Sequence, residues 1–318
     1  MKILITGGAG FIGSNLAKKL IERGDDVCIV DNFNDYYDPK LKEARIKILL
    51  KGCKFKLYRG DIRDVKLIDR IFKKEKIDKV VHLAGMAGVR NSLLNPLLYE
   101  EVNVRGTMNL LEAAVKYDIK NFIFASSSSV YGNNKKVPFS ETDPVDTPIS
   151  PYAATKKCME LIAHVYSHVH GLKVTGLRFF TVYGPWGRPD MALFKFTKNI
   201  LENKPIDVYN KGKMSRNFTY VDDIVSGVIT ILDSDLKYGV MNIGGDREEA
   251  LMRFIEVIEK NLGKVAKKNM MPMQTGDVPS TVADIRKLRK MGWKPTTRID
   301  KGIKNFIDWY LEYYKIKL

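Results

Sequence analysis

A tyrosine and a lysine four positions apart, Tyr152 and Lys156, are the side chains in this sequence that suit proton transfer. On a helix, a spacing of four places both side chains on one face, about 5–6 Å apart at Cβ. A free tyrosine has a pKa of about 10, and a neighbouring ammonium group stabilises the phenolate and so lowers that pKa. The pair therefore predicts a general base that takes a proton from a hydroxyl group and returns it.

A glycine-rich turn near the start of the sequence predicts a binding site for a dinucleotide. It follows a short apolar run, Lys2–Thr6, which is typical of a buried strand, and a helical pattern begins near Ser14. Gly7 and Gly10 allow the backbone to turn tightly and to approach a pyrophosphate, while Gly13 allows the helix to pack closely on the strand. The N-terminus of that helix offers N–H groups and partial positive charge to the phosphates.

A second apolar run, Val27–Val30, predicts another buried strand and leads into Asp31. A carboxylate at this place can accept hydrogen bonds from the adenosine ribose and would repel a 2′-phosphate. Asn32 and Phe33 follow, so this segment carries no arginine that would favour a phosphate. The predicted cofactor is therefore NAD rather than NADP. A purely structural glycine turn is disfavoured, because strand, turn, helix, second strand and acid follow in the order that a dinucleotide site requires.

The composition excludes several classes of protein. With 318 residues, 45% of them hydrophobic, the chain can form one large or two modest domains with a substantial core. The formal net charge is +16. However, the basic residues are spread over the whole length, so we expect no nucleic-acid partner. A positive field that attracts a polyanionic substrate stays open as a weaker interpretation.

Signals for membranes, secretion and metals are weak. Apolar runs stay far below the roughly 20 residues that cross a membrane, and the first is too short for a signal peptide, so we expect neither a membrane span nor secretion. Cys28, Cys53 and Cys158 are odd in number and scattered, which favours a reducing compartment, the cytoplasm. His164 and His168 share a helical spacing, but no third ligand of matching spacing appears, so we predict no metal site.

Strand-like and helical patterns alternate through the first half of the sequence. Apolar runs typical of strands occur at 55–58, 79–83, 122–125 and 174–180, and helical patterns occur at about 64–74, 96–117 and 151–170. This order predicts an α/β fold with a Rossmann-type doubly wound parallel sheet. Beyond residue 182 the rhythm changes, and we expect a smaller mixed α/β C-terminal lobe that binds the substrate.

Several motifs together resemble those of the extended short-chain dehydrogenase/reductases that act on nucleotide sugars. The resemblance covers nearly the whole chain and rests on Thr6–Gly13, Asp61–Ile62, His82–Gly85, Ser126–Gly132, Tyr152-x-x-x-Lys156 and Arg178–Pro185. Within that family, the stretches most similar to UDP-glucuronate 4-epimerases are Asn32–Pro39, Gly184–Phe194 and Met271–Pro279.

The resemblance implies an isomerase, an NAD-dependent 4-epimerase that converts UDP-glucuronate to UDP-galacturonate through a transient 4-keto sugar. In the family mechanism, Tyr152 takes the proton of the sugar 4-hydroxyl, Ser127 hydrogen-bonds that oxygen, and Lys156 also holds the nicotinamide ribose. An NAD-binding domain would comprise residues 1–180 plus about 217–240, and a UDP-sugar-binding lobe about 181–216 plus 241–318. The family also implies a homodimer that packs the helices at 96–117 and 151–170 against their copies.

The family pattern further implies which residues meet the ligands. The cofactor would contact Gly7, Gly10, Phe11, Ile12, Gly13, Asp31, Asn32, Asp61, Ile62, Leu83, Ala84, Gly85, Tyr152 and Lys156. The sugar carboxylate would meet the hydroxyls of Ser128, Ser129 and Thr181 and the cation of Arg188, with Arg216 at the diphosphate and Asp277 at the uridine. Two positions depart from the pattern: Met86 stands where close relatives carry glutamine, and Gln274 where several carry arginine.

Sister reactions in the family depend on acids that this sequence lacks. Dehydratases carry Asp-Glu, and decarboxylases carry Glu, where Ser128 and Ser129 stand here. Without such an acid, dehydration has no evident catalyst. Two alternatives stay open: a 4-epimerase of a neutral or N-acetylated UDP-hexose, and a UDP-glucuronate decarboxylase. A non-catalytic sensor of NAD or sugar nucleotides is disfavoured because it would need neither Tyr152 nor Lys156.

Overall fold

The computed structural model describes residues 1–274 and 278–318. The strands in these residues are β1 (Lys2–Thr6), β2 (Asp26–Asp31), β3 (Phe55–Arg59), β4 (Lys79–His82), β5 (Asn121–Ser127), β6 (Val174–Phe179), β7 (Val182–Tyr183), β8 (Ile206–Val208), β9 (Ser215–Arg216), β10 (Thr219–Tyr220), β11 (Tyr238–Ile243), β12 (Glu249–Ala250), β13 (Lys268–Met270) and β14 (Ser280–Thr281). Within this described part of the chain, seven of them form one parallel sheet in the order β3-β2-β1-β4-β5-β6-β11.

Helices cover both faces of this sheet and build the second lobe. They are α1 (Phe11–Glu22), α2 (Pro39–Ala44), α3 (Val65–Glu75), α4 (Val89–Leu94), α5 (Pro96–Tyr99), α6 (Gly106–Lys116), α7 (Pro151–His170), α8 (Ala192–Leu201), α9 (Val221–Leu232), α10 (Leu251–Leu262), α11 (Arg286–Arg289) and α12 (Ile299–Tyr314). π-Helical segments follow α2 at Arg45–Leu49 and join α5 to α6 at Glu100–Arg105. The predicted helix at 96–117 is therefore one run with a π-helical middle.

The sheet is buried on both faces because its strands are apolar on both faces. Ile3 and Ile5 of β1 pack into a core with α1 and α9, and Leu4 packs on the opposite side with α3, α6 and α7. The order of the strands reverses between β1 and β4. In such sheets, ligands bind in the crevice at the carboxyl ends of the strands where the order reverses. The predicted Rossmann-type α/β fold is confirmed.

The C-terminal lobe is built around an aromatic cluster. Phe194 of α8 packs edge-on against Phe306 and Tyr310 of α12, at ring-centroid distances of 6.0 and 5.1 Å. The chain returns from this lobe to the main sheet at β11, which pairs with β6 along its whole length. Within the described residues, no helix combines the length and the apolar character that crossing a bilayer requires.

A buried ion pair fixes α7 to the sheet. Arg178 of β6 donates from Nε and Nη2 to the two carboxylate oxygens of Glu160 on α7, at 2.8 Å each. Ser126 of β5 donates to the same carboxylate at 2.6 Å, and Glu160 and Arg178 are both buried. This bidentate geometry, with a third hydrogen bond, sets the position of α7 against β5 and β6.

We expect Glu160→Gln to lower the free energy of unfolding by about 3–5 kcal/mol, because it leaves the buried guanidinium of Arg178 without a counter-charge. Chemical denaturation at a fixed concentration of NAD measures the change. The control is Glu202→Gln, whose exposed pair with Lys204 should contribute little to stability because water screens it. Equal losses in the two variants would contradict the anchoring role of Glu160.

Candidate active site

The glycine-rich turn connects β1 to α1, which begins at Phe11, three residues before the predicted start. Gly7 has a φ of +70°, and a Cβ atom there would lie 2.6 Å from the backbone nitrogen of Ala84. Glycine at this position therefore permits both the left-handed turn and its contact with the segment after β4. A Cβ atom on Gly13 would collide with the carbonyl oxygen of Gly7, so close packing of helix and turn also needs glycine, as the sequence predicts.

This turn fits the diphosphate of a dinucleotide. The amide of Gly10 donates to the Gly7 carbonyl at 3.0 Å, and the amide of Ser14 donates to the Gly10 carbonyl at 3.0 Å. The amides of Phe11, Ile12 and Gly13 lie before that first intrahelical bond, in the turn where a helix has N–H groups without intrahelical partners. Such a terminus attracts anions.

Asp31 lies at the end of β2, where the sequence analysis expects a ribose contact. One carboxylate oxygen accepts from the amide of Ala9 at 3.0 Å, and the other accepts from the amide of Phe33 at 2.8 Å. Each oxygen keeps a further lone pair for a ribose hydroxyl. The carboxylate therefore holds the glycine turn in place as well as facing the cofactor crevice.

Sequence reasoning missed an arginine close to this acid. Arg59 ends β3, opposite Asp31 in the sheet register, and its guanidinium lies 4.0 Å from the ring centre of Phe33. Both terminal nitrogens of Arg59 bind Glu43, at 2.6 and 2.9 Å. Glu43 compensates the charge of Arg59, so this arginine offers little attraction to a 2′-phosphate. The preference for NAD therefore still rests on the carboxylate of Asp31.

The other predicted cofactor residues lie around the same crevice. Asn32 donates to Asp61 at 2.9 Å. Burial opposes ionisation of Asp61, but hydrogen bonds from Arg63 and Asn32 hold its pKa below its usual value. Ile62 is buried. The segment Leu83–Gly85 follows β4, directly beside the glycine turn.

A chain of buried polar groups supports this wall of the crevice, and sequence reasoning did not anticipate it. Thr6 and Thr107 bond the two ring nitrogens of His82, at 2.7 and 3.0 Å. Burial, with a smaller effect of Lys156, lowers the pKa of His82 to about 3, so the ring is neutral. Asn103 accepts from the Met86 amide at 2.8 Å and donates to the Met86 carbonyl at 3.0 Å. Met86, which stands where close relatives carry glutamine, thus has its backbone held by Asn103 and its side chain buried.

Tyr152 and Lys156 lie on α7, as predicted, at the rim of the crevice. Ser150 caps this helix by accepting from the Ala153 amide at 3.1 Å, and this fixes Tyr152 in the first turn. The Nζ atom of Lys156 donates to the Ala125 carbonyl at 2.6 Å and lies 6.0 Å from the ring centre of Tyr152. A Cβ atom on Gly85 would lie 3.5 Å from this Nζ, so lysine and cofactor wall adjoin.

The electrostatics of the pair differ from the expectation. Burial raises the pKa of Tyr152, while a hydrogen bond with Ser127 and the charge of Arg188 act in the opposite direction. Burial lowers the pKa of Lys156 to about 8. The structure therefore differs from the expected lowering of the Tyr152 pKa, because burial outweighs the opposing contributions. The ammonium of Lys156 is directed to the Ala125 carbonyl. The cation that favours the phenolate is Arg188.

Arg188 belongs to a cluster that local sequence does not reveal. It donates from Nε and Nη2 to the two carboxylate oxygens of Asp190, at 3.0 and 2.5 Å. Its guanidinium lies 5.6 Å from the ring centre of Tyr36, whose hydroxyl donates to Asp190 at 3.4 Å. Burial opposes the charged form of both members of the pair, but their attraction dominates: it raises the pKa of Arg188 and lowers that of Asp190.

The predicted substrate residues are brought together only in part. Ser127 accepts from the Ser129 amide at 3.1 Å, and Ser128 begins the short 3₁₀ turn Ser128–Tyr131. Thr181 and Arg188 line one cavity of about 30 Å³, together with Phe11 at the start of α1. Arg216 lies on β9 and donates to the carbonyls of Ser215 and Pro279, at 2.8 and 3.0 Å. Asp277 lies outside the described residues.

Comparison with known proteins decides the family. The profile of the NAD-dependent epimerase/dehydratase family matches residues 3–244. The chain belongs to this family. It is 46% identical to UDP-glucuronate 4-epimerase 1 of Arabidopsis thaliana, over 99% of this chain and 77% of that protein. The cofactor NAD and the epimerase activity predicted from the sequence are therefore confirmed.

Solved structures of relatives have the same fold over nearly the whole chain. The UDP-glucuronic acid 4-epimerase of Bacillus cereus, in complex with UDP-glucuronic acid and NAD, superposes with a TM-score of 0.92 at 35% identity, over 99% of this chain and 100% of that one. The UDP-glucose 4-epimerase of Thermus thermophilus, in complex with NAD, gives a TM-score of 0.88 at 31% identity, over 98% of this chain and 99% of that one.

We expect Tyr152→Phe to lower epimerase activity at least about 100-fold and to leave NAD affinity nearly unchanged, because it removes only the hydroxyl that exchanges the proton. Steady-state kinetics and titration with NAD measure the two effects. The matched control is Tyr166→Phe on the same helix, whose hydroxyl bonds Glu112. Retention of activity by Tyr152→Phe would remove the phenol from the mechanism.

Proposed function

We propose that this epimerase converts UDP-glucuronate to UDP-galacturonate through a transient 4-keto sugar. The observation that carries the proposal is the position of Arg188, which lines a cavity with Thr181 and whose charge acts on Tyr152. A cation beside the reacting carbinol suits a sugar that carries a carboxylate. The similarity to the Arabidopsis and Bacillus cereus proteins supports the same substrate.

The catalytic residues act on one hydroxyl group. Tyr152 takes the proton of the sugar 4-hydroxyl and later returns it, while Ser127 hydrogen-bonds the same oxygen. NAD, when bound, would supply the redox step: it would accept a hydride from C4 and return it to the opposite face of the 4-keto sugar. Ser127 and Arg188 favour the phenolate of Tyr152 against its burial. Lys156, which donates to the Ala125 carbonyl and adjoins Gly85, would hold the nicotinamide ribose.

The sugar carboxylate must stay ionised and out of line for loss of CO₂, since the 4-keto intermediate is a β-keto acid. Hydroxyl donors suit this task because they bind the carboxylate without giving it a proton. We assign it to Ser128, Ser129 and Thr181, together with Arg188. No carboxylic acid occupies positions 128–129, which disfavours dehydration and decarboxylation.

The remaining assignments follow the predicted division of the chain. Residues 1–180 plus about 217–240 would hold NAD, and about 181–216 plus 241–318 would hold the UDP-sugar. In the second lobe, Arg216 would meet the diphosphate and Asp277 the uridine. In the first, the cofactor would contact Gly7, Gly10, Phe11, Ile12, Gly13, Asp31, Asn32, Asp61, Ile62, Leu83, Ala84 and Gly85, besides Tyr152 and Lys156.

We also propose a cytoplasmic homodimer. Large apolar side chains are exposed on neighbouring helices of one side of the first lobe, which is a feature of protein–protein interfaces. They are Leu93, Leu94, Leu97, Met108, Leu161, Val165 and Val169. A second copy of the chain would cover them by packing α6 and α7 against α6 and α7. All three cysteines are free, which suits a reducing compartment.

A second candidate is a 4-epimerase of a neutral or N-acetylated UDP-hexose. The observation in its favour is the ion pair of Arg188 with Asp190, because a compensated cation attracts a carboxylate less strongly. The similarity to the Thermus thermophilus enzyme supports this candidate.

We expect the purified protein, supplied with NAD, to convert UDP-glucuronate to its C4 epimer. The test incubates it separately with UDP-glucuronate, UDP-glucose and UDP-N-acetylglucosamine, and separates the C4 epimers by chromatography with detection of UDP-pentose. Turnover of the neutral sugars alone would select the second candidate. UDP-pentose and CO₂ as main products would make the enzyme a decarboxylase.

We expect Arg188→Ala to lower kcat/KM for UDP-glucuronate by about 10–150-fold, the effect of a charged hydrogen bond, and for a neutral UDP-hexose by less. Loss of this charge also raises the pKa of Tyr152, so the acidic limb of the kcat/KM profile should move to higher pH. Arg188→Lys retains the charge and should restore that limb in part. Equal losses on acidic and neutral sugars would refute a contact with the carboxylate.

A further inference from the structure

Arg45 is a fully buried arginine to which the reaction assigns no role. It begins the π-helical segment after α2, and its relative exposure is 0%. Within residues 1–274 and 278–318, no carboxylate forms an ion pair with it. A buried charge without a partner of opposite sign is costly, so packing alone is a poor reason for an arginine here.

The guanidinium joins three segments that are distant in the sequence. Nη1 donates to the Ala9 carbonyl in the glycine turn at 3.1 Å and to the Tyr37 hydroxyl at 2.6 Å. Nε and Nη2 donate to the Trp186 carbonyl at 3.1 and 2.7 Å, and Nη2 also to the Gly187 carbonyl at 3.4 Å. These contacts occupy all five N–H donors of an arginine.

On the cofactor side, Arg45 completes the support of the glycine turn. The Ala9 amide donates to Asp31, and the Ala9 carbonyl accepts from Arg45, so both polar groups of one residue are fixed. The diphosphate of NAD binds at this turn and brings two negative charges near a cation that forms no ion pair within the described chain. Binding of NAD therefore lowers the cost of burying Arg45, and the presence of Arg45 favours binding of NAD.

On the substrate side, Arg45 fixes the peptide that leads to Arg188. Trp186 has a φ of +64°, a left-handed conformation that costs a bulky residue roughly 1–2 kcal/mol. Its carbonyl accepts two of the Arg45 hydrogen bonds, and its ring packs on Trp309 at a centroid distance of 5.2 Å. Arg188 follows two residues later in the same loop, 184–190.

We propose that Arg45 is a positioning residue that couples occupancy of the NAD site to the conformation of the 184–190 loop, and so to the placement of Arg188 at the sugar. The inference rests on the proposed function insofar as Arg188 meets the substrate. The coupling is reciprocal: a bound sugar nucleotide strengthens the retention of NAD by the same free energy with which NAD strengthens binding of the sugar.

The test measures release of NAD from the full-length holoenzyme by exchange with excess NADH, whose fluorescence reports the exchange. The measurement uses the Tyr152→Phe background to prevent turnover. We expect saturating UDP-glucuronate to slow release of NAD about tenfold, within the 5–150-fold range of ordinary couplings. Adding Arg45→Lys should reduce the effect to less than about twofold, because a lysine ammonium cannot reproduce the planar five-donor contact.

Tyr37→Phe is the matched control. It removes one acceptor of Arg45 but leaves the contacts with Ala9, Trp186 and Gly187, so the tenfold effect should persist. An unchanged effect in the Arg45→Lys variant, or no effect in the Tyr152→Phe background, would overturn the proposal. If the enzyme turns over only a neutral UDP-hexose, the proposed function fails, and the same measurement with that sugar decides the role of Arg45.

A second measurement applies if Arg45→Lys does not fold. Hydrogen exchange on the wild-type protein follows the amides of Gly187 and Met191, which bond the carbonyls of Gly184 and Arg188 at 3.1 and 3.2 Å. NAD alone, without a sugar nucleotide, should slow exchange of peptides spanning 184–191 at least about fivefold. Protection confined to the glycine turn would overturn the coupling.

Discussion

The buried contact of Glu160 with Arg178 and Ser126 is the interaction on which the chemistry depends. Glu160 lies one helical turn beyond Lys156 and two beyond Tyr152, so the three side chains line one face of α7. The acid binds to strands β5 and β6, and β5 ends in Ser127. The ion pair thereby helps to fix the distance between Tyr152, the proposed catalytic base, and Ser127.

Burial opposes the charges that the reaction needs. Burial raises the pKa of Tyr152 and lowers that of Lys156, so it favours the neutral form of both side chains. The contributions that lower the pKa of Tyr152 come from Ser127 and from Arg188, which lies in the loop between β7 and α8. The pKa of Tyr152 therefore depends on the position of this loop relative to α7.

Asp31 and Arg45 extend this dependence to the cofactor. One binds the amide and the other the carbonyl of Ala9, and Arg45 continues to the loop that carries Arg188. The glycine turn is thus supported by an anion and a cation from different segments. The glycine turn, Asp31 and the loop that carries Arg188, which we propose to meet the cofactor and the substrate, are thus joined by one connected set of polar contacts.

The amino-acid sequence by itself determined the local features: the glycine turn, the alternation of strands and helices, Asp31 at the end of β2, and the Tyr152–Lys156 spacing on α7. These follow from contacts between near neighbours, which periodicity and residue type record. It could not reveal the π-helical turn that places Asn103 inside, or the pairing of Arg59 with Glu43. Arg45 meets Trp186 across 141 positions and Tyr36 meets Asp190 across 154, and no local pattern encodes such partners. The tertiary structure alone decided these contacts. A charged residue that the sequence would place at the surface becomes buried and hydrogen-bonded only when distant segments pack around it.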